Sequence, residues 1–156
     1  MLASAADVPV PPDEPLGAVE VTVVDSGWGV AGVLSGGSWL ARVAESAAVV
    51  LVARATVPAL RQLEQAMAMC CHNPVVAVQG PSRRDRSVQA TAGPQLSAAQ
   101  AAGQVVSVPS NRRLASAGIS SAPLPQGVLK AGRQLFARAL AASPQATGAQ
   151  DRPDSR

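Results

Sequence analysis

The residues best placed to do chemistry lie in Val23-Val24-Asp25-Ser26-Gly27-Trp28-Gly29, where an apolar run ends in a carboxylate, a hydroxyl and a glycine turn. Two chemistries use such a turn. Gly27-Trp28-Gly29-Val30-Ala31-Gly32 satisfies G-x-G-x-x-G, in which glycines let the backbone approach a dinucleotide pyrophosphate. In the other, the strand-end carboxylate faces a magnesium-bound nucleotide and the glycines let the turn move. Asp25, Ser26, Gly27 and Gly29 are the candidate nucleotide-binding residues of this turn, with no catalytic and no metal-ligating set among them. Pro109 closes a later apolar run, Val105–Val108.

Other constellations carry less. Cys70, Cys71 and His72 are adjacent, so their side chains diverge on a helix, and they read as thiols and an imidazole at a helix end rather than as a metal site. Trp39 reads as core, and Trp28 as an aromatic at an exposed turn. No serine stands in G-x-S-x-G, and His72, the only histidine, has no acid or base partner near it in sequence. Lys130 is the only lysine, and Gly127-Val128-Leu129-Lys130-Ala131 is not a phosphate-cradling loop.

The 156 residues suffice for one domain. Hydrophobic residues make up 47% and aromatics 2%, so the core must be built from Val, Leu and Ala. The net charge of +3 is spread out apart from Arg83-Arg84-Asp85-Arg86 and Arg112-Arg113, which lack interleaved aromatics and do not point to nucleic acid. No segment reaches the ~18 apolar residues of a membrane span, and the N-terminus lacks the pattern of a secretory signal, so a cytoplasmic location is expected.

The elements that must position these residues follow from composition and period. Residues 1–16 are proline-rich and read as a disordered leader, and 143–156 as a disordered tail. Between them, 17–142 alternate strand and helix signals. Ala18–Asp25 reads as the first strand, and a helix from about Ser38 to Glu45 turns Trp39, Leu40 and Val43 inward. Ala48–Ala53 is uniformly apolar, as a central parallel strand covered on both faces would be. Thr56 and Pro58 open a helix whose stripe is Leu60, Leu63, Met67 and Cys70. Val75–Val78 is the third strand, and an arginine-bearing loop follows. Gly93-Pro94 opens an alanine-rich helix that Gly103 stops, and Val105–Val108 is the fourth strand. Asn111 caps a short helix ended by Gly118, and a last helix near Leu124–Ala141 places Val128, Gly132, Leu135, Phe136 and Leu140 on one face. The expected fold is α/β, a Rossmann-like or P-loop-like parallel sheet of about four or more strands with helices on both faces.

This order resembles the C-terminal half of a MinD/ParA-type ATPase, the deviant Walker A branch of P-loop proteins, over residues of about 18 to 141. The resemblance rests on Val23–Gly29, on Val49-Val50-Leu51-Val52-Ala53-Arg54-Ala55-Thr56-Val57-Pro58, and on Gln104–Leu114 followed by Ala117-Gly118 and Pro123-Leu124-Pro125. It implies a nucleotide-related fold in which Pro109 and Asn111 join Asp25, Ser26, Gly27 and Gly29 as candidate nucleotide-binding residues, with a homodimer mate and proteins of partitioning, septum placement, secretion or conjugation as partners. The departures are as informative. No P-loop, P-loop lysine or first switch stands before Asp25 in these residues, and Gln79-Gly80-Pro81-Ser82-Arg83 replaces the family's Asn-Arg pair. ATP hydrolysis in this fold needs amides and a lysine around the β- and γ-phosphates and a loop hydroxyl on magnesium. The resulting expectation is a degenerate family member without a cofactor, a non-catalytic interaction or regulatory module. The alternatives are a pseudo-ATPase half-domain that binds ATP-Mg weakly or with a P-loop partner, and a small NADP-binding oxidoreductase domain using Gly27–Gly32.

Overall fold

The computed structural model of the chain describes residues 21–27, 29–35, 39–70, 72–80, 88 and 90–143. The leader, the tail beyond Ser143, Trp28, Cys71 and the Arg83–Arg86 cluster lie outside the described residues.

The described elements, in order, are α1 (Val30–Ser35), α2 (Trp39–Ser46), β1 (Val50–Arg54), α3 (Val57–Met69), β2 (Val75–Gly80), α4 (Pro94–Ala101), β3 (Val105–Pro109), α5 (Arg112–Ala117) and α6 (Gln126–Ala142). The strands form a parallel sheet of order β1-β2-β3. The register places Leu51 beside Val76, Val52 beside Ala77, and Ala77 beside Val106. The fold is α/β, and among the described residues its sheet has three strands rather than about four. The described part of the expected first strand, Val21–Asp25, runs without a ladder partner, and Val23 is 85% exposed.

Side chains alternate across a strand, so each face collects every second residue. On one face Leu51, Val76 and Val78 pack with Leu60, Leu63 and Met67 of α3 and Leu96 and Ala99 of α4. On the other, Val75, Ala77 and Val106 are buried, and α6 packs across β3 and β2 through Ala131. Four consecutive buried residues make β2 the central strand. The apolar run expected in the centre forms β1, which among the described residues stands at the edge of the sheet, with Val52 73% exposed. Hydropathy is the same in both runs. What differs is whether a neighbour lies on each side.

Helix ends follow local chemistry. Thr56 takes the N-cap position of α3 with extended backbone and Pro58 stands in the first turn, although the Thr56 side chain closes no capping bond. Asn111 Oδ1 accepts the Leu114 N–H at 3.0 Å and caps α5, and Gly118 ends it at φ +70°. Two inward faces differ from expectation. Leu40 of α2 is buried but Val43 is exposed. In α6 the inward face runs through Val128, Ala131, Leu135 and Arg138, leaving Gly132, Phe136 and Leu140 in solvent. Arg138 fixes that rotation, its guanidinium donating to the Val105 carbonyl at 2.8 Å.

Candidate functional site at the carboxyl ends of the strands

Parallel strands joined by helices all end at one edge of the sheet, and ligands of open α/β sheets bind in the crevice outside that edge. Here β1 ends at Arg54, β2 at Gly80 and β3 at Pro109, and beyond them lies a cleft of about 640 Å³. Its polar lining comes from Arg54, Thr56, Gln79, Ser110, Asn111 and Arg112, and its apolar wall includes Val108, Leu114 and Val128.

Short-range contacts hold the floor of this cleft. The Ala55 N–H donates to the Gln79 carbonyl at 2.7 Å, and the Ser110 N–H to the Gly80 carbonyl at 3.2 Å, extending both ladders past the last strand residues. A Cβ on Gly80 would stand 2.5 Å from Ala55 Cβ, so only glycine lets β1 and β2 converge there. A Cβ on Gly127 would lie 3.2 Å from Pro109 Cγ, which shows how closely the first turn of α6 seats on the end of β3.

The cleft is cationic. Arg54 and Arg112 carry its only charges among the described lining residues, and the N-termini of α3 and α5 open onto it through Thr56 and Asn111. Backbone N–H groups at helix starts and guanidinium groups both favour an anion. The described lining holds no carboxylate, thiol, imidazole or lysine, and no group of three metal-ligating side chains occurs among the described residues. As arranged, these residues can bind an anionic group and orient it.

The six candidate residues divide between two places. Pro109 and Asn111 line the carboxyl-end cleft, and the Asn111 side-chain oxygen is engaged in capping α5. Asp25, Ser26 and Gly27 line a separate cavity of about 540 Å³ along the outer side of β1. Asp25 Oδ1 accepts the Gly27 N–H at 2.9 Å, a local turn made with Gly27 at φ +68°. The Gly29 carbonyl accepts the Val33 N–H at 2.9 Å and so opens α1, whose six residues follow the turn directly. The Asp25 turn and the Pro109–Asn111 turn therefore line different cavities.

Arg54, Thr56, Gln79 and Gly80 were not among the candidates, although they line the β1 and β2 side of the cleft. Their signal was positional, each standing at or just beyond the end of a parallel strand, with Arg54 in register with Gln79 and Gly80 with Pro109. His72 is half-buried, and its Nε2–H donates to the Ala44 carbonyl at 2.9 Å, tying the approach to β2 to the end of α2 rather than standing solvated. No protein-family model, curated protein or solved structure matches the chain.

Proposed function

We propose that the chain is a non-catalytic interaction or regulatory module on a degenerate MinD/ParA-like fold, working in the cytoplasm with a protein partner in partitioning, septum placement, secretion or conjugation. The observation that supports this reading is the separation of its two nucleotide-type turns. Asp25 closes its own turn onto Gly27 beside β1, while the cationic cleft lies at the strand ends. Phosphoryl transfer needs a lysine, a metal-holding hydroxyl and an acid gathered around one phosphate chain. The sequence has no Walker A loop, and its single lysine, Lys130, lies in α6.

A second reading draws on the cleft itself. Two arginines and two helix N-termini around about 640 Å³ suit weak binding of a nucleotide without turnover, as in a pseudo-ATPase half-domain. Nothing in the geometry favours the NADP alternative, since the Gly27–Gly32 turn follows residues that carry no described strand.

Phosphate release and calorimetric titration with ATP-Mg test these readings together. The interaction-module reading expects no turnover, and turnover by the purified chain would overturn it. Saturable ATP binding that is weakened by Arg54→Ala or Arg112→Ala would establish the second reading. Tight NADPH binding lost in Gly29→Val would displace both.

A further inference from the structure

Parallel sheets are almost always covered on both faces and guarded at their edges. At the outer edge of β1 no further strand is paired among the described residues. Among the described residues β1 pairs only with β2, and its run Val50-Leu51-Val52-Ala53 holds no proline or bulge and meets a charge only at the strand's last residue, Arg54. In a parallel ladder, alternate residues direct both N–H and C=O to the same neighbour. The Val49 carbonyl accepts from Val75, and Ala55 donates to Gln79. Residues 49, 51, 53 and 55 therefore face β2, whereas Val50 and Val52 direct both backbone groups outward; Arg54 offers its N–H there, its carbonyl accepting the Thr56 N–H at 2.8 Å.

Along that outer edge lies the cavity of about 540 Å³, with Val49–Val52 on one flank, Val23–Gly27 on the other, and Val30, Val33 and Leu34 of α1 and Leu40 and Ala44 of α2 completing its wall. The flanks are both apolar, yet no ladder joins them. A strand residue in a packed sheet occupies about 3.3 Å of rise, 4.8 Å of strand spacing and 10 Å of layer spacing, or roughly 160 Å³. The cavity thus has room for roughly three to four strand residues. Asp25 is the only ionisable side chain in its lining.

We propose that the slot between β1 and the Val23–Gly27 segment receives one strand of a partner polypeptide, apolar and β-branched, with a cationic residue at the end that meets Asp25. The outward N–H and C=O groups of Val50 and Val52 supply its ladder, so the partner is recognised as a strand rather than as a helix or an apolar patch. Apart from Asp25 the flanks are uncharged, which disfavours acidic or heavily charged segments, and Asp25 selects the orientation in which the cation lies beside it. This inference rests on reading the chain as an interaction module and specifies what it interacts with.

The test uses the full chain and a synthetic peptide of about eight alternating valine and threonine residues ending in lysine. Amide exchange followed by NMR should show the peptide slowing Val50, Val52 and Arg54 by about tenfold or more, with Leu51 and Ala53 already protected by β2. Val52→Pro removes an outward donor and leaves the β2 ladder intact, so it should abolish binding. Should that variant not fold, the wild-type alternation decides. Asp25→Asn keeps the turn acceptor and should weaken the lysine-ended peptide several-fold, without affecting one ending in a neutral residue. The proposal fails if the three outward amides are already protected in the monomer, if they become protected by dimerisation without peptide, or if the peptide protects other residues or none. None of those outcomes bears on ATP turnover, so the broader reading stands or falls separately.

Discussion

Glu64, in the middle of α3, caps a helix to which it does not belong: its Oε1 accepts the Leu96 N–H at 2.8 Å and its Oε2 accepts the Gln95 N–H at 3.2 Å. The first turn of α4 has no acidic residue, and Gly93 at its N-cap has no side chain to donate to the role. A carboxylate reaching over from α3 fills it and locks the two helices together on one face of the sheet. Glu64→Ala should destabilise the protein by about 1–2 kcal/mol, measured by urea unfolding. Gly93→Ala would place a Cβ within 2.6 Å of the Glu64 carboxylate and displace it. The two substitutions should therefore be strongly non-additive, with Gly93→Ala close to neutral once Glu64 is gone. Additive effects would show that the carboxylate does not hold α4.

Gly80→Ala should cost about 1–3 kcal/mol, because its Cβ meets that of Ala55 where β1 and β2 converge. The contact is between backbone-anchored atoms, so the strands must part. Ala55→Gly in the same chain should recover much of the loss, and denaturant midpoints of the single and double variants would measure it.

Arg138→Met keeps most of the packing stem of the side chain and removes its donor to the Val105 carbonyl. A loss of about 1 kcal/mol is expected after discounting for partial exposure. Faster amide exchange should be confined to β3 and the second half of α6. Uniform loosening of the sheet would mean that the arginine is not the local anchor.

Core and surface along the helices should separate cleanly in a thermal scan. Leu96 is fully buried, and Leu96→Ala should cost about 2–5 kcal/mol. Phe136 and Leu140 are half exposed, and Phe136→Gln should change stability by no more than about 0.5 kcal/mol. A large loss from Phe136→Gln would restore the inward face expected from its spacing.

Asn111→Ala should cost about 1 kcal/mol through loss of the Leu114 cap, and Asn111→Ser or Asn111→Asp should recover most of it. If ATP binds the cleft, the Ser variant should retain that binding, since the cap then orders the turn rather than the ligand.

Element type came from local chemistry. Val75–Val78, the Gly93-Pro94 helix start, the Asn111 cap and the Gly118 stop depend on residues within a few positions of one another, and all stand where spacing placed them. The stripe Leu60, Leu63 and Met67 is buried for the same reason, since helical period alone brings those side chains to one side. Long-range pairing decided the rest. Among the described residues, two apolar runs became a centre strand and an edge strand because β2 gained neighbours on both sides and β1 on one. In α6, Phe136 and Leu140 lost the inward face to Ala131 and Arg138 because a carbonyl on β3, distant in sequence, set the helix rotation. The cleft followed the same rule. Asn111 could be found from its own turn, but Arg54, Gln79 and Gly80 became its companions only when parallel register carried three strand ends to one edge. Periodicity and capping are short-range and written in adjacent residues, whereas which edge is covered and which turns share a site depend on contacts between segments that no local pattern encodes.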